Sequence, residues 1–150
     1  MPSTSLIPFP RYDGQPLLSY AHLNSKEVPL WHRFLANKAA SQYIGFDYDI
    51  KVGKYAIDAI NAPTPENMLL LGTMAKRIDV VGFFMPHGVD IFEVKPERTT
   101  NALSQLLFYK QLFIQTFPDI NVRSLIVVSD RYDEEVSTFA KSLDITIIIV

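Results

Sequence analysis

The sequence predicts an α/β fold in which a mixed central sheet is flanked by helices. Two β-rich runs are joined by the short turn Met85-Pro86-His87-Gly88, which is typical of a hairpin. An amphipathic helix then separates the hairpin from a buried strand, as in a crossover between parallel strands. Hydrophobic residues make up 48% of the chain and the net charge is only -2, which favours a folded domain over a disordered segment.

The N-terminal half begins with an arm and continues with a helix and a strand. Residues 1–24 contain four prolines and no periodic pattern, so we predict an irregular arm there and one domain over residues 25–150. Apolar residues at helical spacing predict a helix from Lys26 to Gln42, with Ser25 as its N-cap. Alternation from Ile44 to Val52 predicts a half-buried strand. The stretch from 54 to 73, with two prolines, is left open between a loop with a short helix and a strand extension.

The C-terminal half completes the sheet. The hairpin strands are followed by Pro96, which ends the second one, and Thr99 or Thr100 caps a helix that continues to about Phe117. A buried strand over 122–129, a helix capped by Asp130 and a strand over 145–150 follow. The predicted order is therefore α, β, β, β, α, β, and then a further α and β.

The run from Val89 to Lys95 carries the most chemical information. Successive side chains of a strand alternate between faces, so Glu93 and Lys95 share one face with Ile91. The hairpin turn brings Asp79, on the preceding strand, close to Glu93. Two carboxylates that converge on an apolar sheet repel each other and resist desolvation unless a cation lies between them. The simplest such cation is a divalent metal.

These residues resemble a known motif. An acid in one strand, the sequence Glu93-Val94-Lys95 in the next, and Gln105 and Tyr109 four residues apart on the following helix are similar to the PD-(D/E)XK nuclease superfamily, particularly its RecB-like branch. The last helix and strand resemble the end of NucS-type nuclease domains. Two positions depart from the pattern, since Ile78 stands where the nominal motif has proline and Pro96 follows the lysine. The resemblance implies a restriction-endonuclease-like αβββαβ core with a C-terminal αβ extension.

The resemblance also implies roles for individual residues. Asp79, Glu93 and the backbone carbonyl of Val94 would bind Mg²⁺ or Mn²⁺, which prefer oxygen ligands. Lys95 would orient or activate the attacking water and offset phosphate charge. Gln105 and Tyr109 would position the substrate backbone or the water shell of the metal.

Further candidates lie around this motif. Glu27 matches a position where some relatives carry another acid near the metal, although the dipole of the first helix explains it equally well. Lysines and arginines cluster around the hairpin in spite of the acidic whole, and the nucleic-acid contacts are predicted among Lys76, Arg77, Arg98 and Lys110.

Structural explanations compete with these roles. Glu93 and Lys95 could form a solvated pair on an edge strand, with Asp79 an ordinary exposed acid. Tyr109 lies on the apolar stripe of its helix and could serve packing alone. Asp47 and Asp49 are interpreted as solvated. The three histidines lack metal-ligand spacing, and the sequence shows no Gly-rich phosphate loop, no nucleophile elbow and no cysteine.

The predicted function is a metal-dependent nuclease that hydrolyses phosphodiester bonds, of DNA first and of RNA as an open alternative. It would act in repair, recombination or the processing of mobile-element or viral DNA, alone, as a homodimer or as a subunit of a larger complex. A catalytically silent binding or assembly module of the same fold is the main alternative, and an α/β interaction protein of unrelated fold is a third. The absence of a long apolar run or signal sequence leads us to expect an intracellular protein without a membrane partner.

Overall fold

A computed structural model describes residues 6–96 and 100–150, and over these ranges the chain forms five strands, five α-helices and one 3₁₀ helix. The strands are β1 (Gly45–Val52), β2 (Lys76–Met85), β3 (Gly88–Val94), β4 (Asn121–Ser129) and β5 (Ile145–Ile149). The helices are α1 (Glu27–Leu35), α2 (Lys54–Asn61), α3 (Pro65–Met74), α4 (Thr100–Thr116) and α5 (Glu134–Ser142), with the 3₁₀ helix at Lys38–Gln42.

The strands form one mixed sheet in the order β1-β2-β3-β4-β5. The first three strands are antiparallel to one another, while β3, β4 and β5 run parallel and are connected through α4 and α5. This confirms the predicted α/β class and the predicted hairpin turn. The Thr99 alternative for the cap of α4 lies outside the described residues.

The two faces of the sheet are buried by different helices. Helices α4 and α5 cover a core that includes Ile91, Leu106 and Phe113, here called the α4-side core. Helix α1 covers the other face, where the fully buried Trp31 packs against Phe34, Phe46 and Phe92 in what we call the α1-side core. Since aromatic side chains bury large areas, these rings fix α1 on the sheet.

The first helix is shorter than predicted. It ends at Leu35, because Asn37 adopts an extended conformation and caps the following 3₁₀ helix by accepting from the amide of Ala39. Its start is also different: Asn24, not Ser25, accepts from the amide of Glu27, while the Glu27 carboxylate accepts from the amide of Asn24. This reciprocal pair is the capping-box arrangement.

Three further elements differ from the sequence prediction or resolve it. The open stretch from 54 to 73 forms two helices, because Thr64 caps α3 and Pro65 occupies its first turn, where proline is tolerated. Helix α5 is capped by Asp133, which accepts from the amide of Val136, and not by Asp130.

In the described ranges, none of the helices has the length and apolar character needed to span a bilayer.

Candidate functional site

Strands β2 and β3 separate at one end of the hairpin. Their ladder ends where Val80 pairs with Phe92, whereas β2 remains paired with β1 as far as Lys76 opposite Val52. Beyond Val80, strand β2 therefore follows β1 and leaves β3. The sheet opens between Asp79 and the Glu93-Val94-Lys95 segment.

Strand alternation is also interrupted at this opening. Tyr48 and Val80 pack against the α1-side core, but Ile50 and Ile78, two residues away on the same strands, pack against the α4-side core. A regular strand would keep residues i and i+2 on one face. The change occurs at Asp49, which has a left-handed φ of 57° and is skipped, together with Asp79, in the β1–β2 ladder.

Glu93 is buried with one oxygen unsatisfied. Its side chain is 2% exposed, and Lys95 Nζ lies 3.4 Å from its Oε1. No described group hydrogen-bonds to its Oε2. Because an unpaired buried polar atom is costly, this oxygen is a place where a further ligand would stabilise the protein. The edge-strand alternative for Glu93 is wrong, since all of β3 is buried.

The carboxylates of Asp79 and Glu93 interact strongly. Burial is the main cause that raises the pKa of Asp79 from 3.8 to about 8, with further increases from the charges of Glu93 and Glu27. Burial likewise raises the pKa of Glu93 from 4.5 to about 7, although Lys95 opposes the shift. Both pKa shifts favour the neutral carboxyl groups. The positive charge of Lys95 therefore does not fully offset the cost of burying the two carboxylates side by side.

Gln105 and Tyr109 form a hydrogen-bonded pair on α4, with the Gln105 Nε2 donating to the Tyr109 hydroxyl at 3.0 Å. Burial raises the pKa of Tyr109, and the charges of Glu93 and Asp79 raise it further. The hydroxyl is therefore within electrostatic reach of the acid pair. The Tyr109 ring also packs against the α4-side core, so the packing explanation applies to it, and its role in positioning substrate stays a prediction.

Glu27 is buried at the start of α1, and its charge raises the pKa of both Asp79 and Glu93. Its carboxylate already accepts from the amide of Asn24 at 3.0 Å. Glu27 thus adds negative charge near the two carboxylates while it caps the helix. Within residues 6–96 and 100–150, no group of three or more His, Cys, Asp or Glu side chains is close enough to form a metal site by itself.

The predicted nucleic-acid contacts differ in availability. Lys76 and Lys110 are exposed, whereas Arg77 donates to both carboxylate oxygens of Asp49 at 3.3 Å and to the carbonyl of Gly72 at 2.7 Å. Arg77 is therefore already engaged by structural partners, although its side chain is 26% exposed. Arg98 lies outside the described residues.

The acids of β1 are not solvated, contrary to the sequence interpretation. Asp47 is 5% exposed, and it accepts from the amide of Phe9 at 3.3 Å and pairs with Arg11 at 3.3 Å. Asp49 pairs with His22, Lys51 and Arg77. Sequence reasoning missed this Asp49 cluster, because its members come from the arm, β1 and β2 and share no local pattern.

No protein-family model, curated protein or solved structure matches the chain.

The acid pair predicts a stability profile with pH. Both carboxyls have raised pKa values in the folded protein, so the native state binds more protons than the unfolded state between about pH 4 and pH 8. The free energy of unfolding in EDTA should therefore fall as the pH rises through this interval. Denaturant titrations across the interval measure it. The Asp79→Asn/Glu93→Gln double variant should lose most of the slope, and a parent slope retained in that variant would assign the effect to other groups.

Proposed function

We propose that the protein is a metal-dependent nuclease of the PD-(D/E)XK type, acting on DNA. The observation that carries this proposal is the pairing of two desolvated carboxylates, Asp79 and Glu93, with Lys95 at the opening between β2 and β3. The order of elements supports a restriction-endonuclease-like core, with α2 and α3 inserted between β1 and β2. The experiment below distinguishes DNA from RNA as the substrate.

The residues present fit a hard divalent cation. The unsatisfied Oε2 of Glu93 and the Asp79 carboxylate supply two anionic oxygens, which is the usual protein contribution to a Mg²⁺ site that keeps several waters. The carbonyl of Val94 lies beside the opening, because the β2–β3 ladder ends before it. When bound, Mg²⁺ or Mn²⁺ would act as a Lewis acid on the phosphate. Glu27 is better assigned to the cap and to the field of the site.

Lys95 is the residue assigned to offset phosphate charge and to orient the attacking water. Its side chain is 32% exposed, and its ammonium lies 3.4 Å from the buried Glu93 carboxylate, so it contacts both Glu93 and solvent. In phosphodiester hydrolysis a water gives up one proton as its oxygen bonds to phosphorus, the bond to the leaving oxygen breaks, and that oxygen takes up a proton. Lys95 would orient the water and offset the negative charge that develops on the phosphate. The Tyr109 hydroxyl, held by Gln105, would position the substrate or ordered water.

The direct test is incubation of the purified protein with labelled single-stranded, duplex and flap DNA and the matching RNAs, in Mg²⁺, Mn²⁺ or EDTA. Cleavage that requires the cation and disappears in Lys95→Ala supports the proposal. Binding without cleavage under all conditions indicates the catalytically silent module. Neither binding nor cleavage, together with no Mn²⁺-dependent rise in melting temperature, would leave an α/β protein of another function.

Gln105 and Tyr109 give a sharper prediction. Gln105→Ala and Tyr109→Phe each remove one side of the 3.0 Å hydrogen bond, and each should lower the cleavage rate by about 10- to 100-fold, as is usual for groups that orient a metal site. Tyr109→Phe keeps the ring and should leave the melting temperature nearly unchanged, whereas Tyr109→Ala should cost about 3–5 kcal/mol of folding free energy.

Matched controls exist for both substitutions. Gln115→Ala lies on the exposed face of α4, and Tyr132→Phe changes a tyrosine that is 65% exposed. Single-turnover rates and melting curves of the five variants provide the measurement. If Gln105→Ala and Tyr109→Phe cleave as fast as the two controls, these residues serve packing only, and Asp79, Glu93 and Lys95 still stand.

A further inference from the structure

A basic pocket lies next to the acid pair. It has a volume of about 480 Å³ and is lined by three cationic side chains, Lys26, Arg33 and Arg131, with Pro29 and Pro96 among its apolar walls. None of these cations belongs to the motif or to the predicted nucleic-acid contacts. The pocket therefore needs an explanation of its own.

Chain connectivity places this pocket beside the candidate site. Pro96 directly follows Lys95, and Lys26 directly precedes Glu27, whose charge acts on both Asp79 and Glu93. Arg131 follows the end of β4, which runs parallel to β3, so the carboxyl ends of the two strands meet there. The amide of Lys95 donates to the carbonyl of Val128 at 2.9 Å, which holds the two ends together.

Within the part of the chain that the structure describes, the three cations are not engaged in ion pairs. No carboxylate of the described residues forms an ion pair with Lys26, Arg33 or Arg131, and all three side chains are exposed. Ion pairs elsewhere do engage several cations, namely Arg11, Lys51, Arg77 and Arg123. The single carboxylate that lines the pocket, Asp130, leaves it with an excess of positive charge.

The dipole of α1 accounts for only one of these cations. Lys26 lies within the first turn of α1, next to the Asn24 cap, where the positive end of the helix dipole disfavours a cation. Arg33 lies in the last turn of the same helix, where the dipole favours a cation. An anion in the pocket would be attracted by the helix end and by all three side chains together.

We propose that this pocket binds a backbone phosphate that flanks the phosphodiester cleaved at Asp79, Glu93 and Lys95. The inference rests on the proposed nuclease function, because that function places a chain of phosphates across the neighbouring opening. Arginine forks match phosphate oxygens in a bidentate manner, and Arg33 and Arg131 supply two of them. Contacts of this kind position the strand without reading its sequence.

The test compares two double variants that each remove two exposed positive charges. Arg33→Gln/Arg131→Gln alters the pocket, while Lys38→Gln/Lys141→Gln alters exposed lysines elsewhere. Binding of a fluorescein-labelled DNA duplex and of its single strand is measured by anisotropy in EDTA over a range of NaCl concentrations. The magnitude of the slope of log K against log salt should fall by about 0.9 for the duplex in the pocket variant, because the pocket holds one phosphate and each lost phosphate contact removes about 0.9. The lysine control should keep the parent slope.

Cleavage in Mg²⁺ gives a second readout. The pocket variant should raise KM more than it lowers kcat, on DNAs of unrelated sequence alike. Melting curves check that both double variants fold. If the Arg33→Gln/Arg131→Gln protein does not fold, the same measurements are made on each single arginine variant. If the parent cleaves DNA and the pocket variant binds like the lysine control, the pocket proposal is wrong and the nuclease stands. If the parent neither binds nor cleaves, both proposals fall.

Discussion

Glu93→Gln is expected to abolish cleavage and, at the same time, to stabilise the metal-free protein. Gln has the shape of Glu but no charge. The substitution therefore removes both the cost of burying the Glu93 carboxylate and its repulsion of Asp79. The new amide can donate toward Asp79, and the remaining oxygen keeps its place near Lys95. The gain in folding free energy near pH 8 should be roughly 1–3 kcal/mol.

The loss of activity has a separate cause. A neutral amide is a poor ligand for a hard cation, so the rate should fall by at least about 10²-fold, the scale seen when a preorganised electrostatic group is removed. Mn²⁺ should no longer raise the melting temperature of the variant. Glu135→Gln, an exposed glutamate in the first turn of α5, is the matched control. A Glu93→Gln protein that cleaves like the parent would exclude this centre as the active site.

Arg123→Met is expected to destabilise the fold without changing the chemistry of the site. Asp90 is 1% exposed, and Arg123 donates to it through Nε at 3.1 Å and through a terminal nitrogen at 2.6 Å. Tyr43 is its only other described partner, at 2.6 Å. Removing one member of a buried ion pair typically costs about 3–5 kcal/mol. Because Arg123 is 41% exposed, water can partly replace it, so we expect about 3 kcal/mol.

Denaturant unfolding of this variant and single-turnover cleavage below its melting temperature provide the measurement. Asp90 lies on the face of β3 opposite Glu93, at an odd spacing from it, so the cleavage rate of folded protein should be retained. The double variant Asp90→Asn/Arg123→Met removes both charges and should recover part of the lost stability. Equal stability of Arg123→Met and the parent would indicate that water satisfies Asp90.

The sequence predicted the parts of the site that depend on strand alternation. Glu93 and Lys95 share a face because β3 is regular, with Phe92 and Val94 packed on the opposite side. The hairpin turn was also recognisable, and it brings Asp79 near Glu93. These features follow from the two-residue period of a strand and from local turn chemistry, and both can be read from neighbouring residues.

Other features depend on contacts between distant segments and could not be predicted. The change of face in β1 and β2 follows from the left-handed backbone of Asp49, which Arg77 and His22 hold in place. Asp47 looks like a solvated strand residue until the arm covers it. The stretch from 54 to 73 stayed open for a different reason, since proline is typical of loops and also of the first turn of a helix, which is the place of Pro65 in α3.

The arm has a consequence for how the protein can be shortened. Tyr12 and Phe46 exchange both backbone hydrogen bonds, at 3.0 and 2.7 Å, so the arm shields part of the outer edge of β1. A chain trimmed to residues 25–150 would present that edge as a free template for edge-to-edge self-association. It would also leave the buried Asp47 without the amide of Phe9 and without Arg11. The smallest well-behaved unit therefore includes the arm, even though it has almost no regular secondary structure.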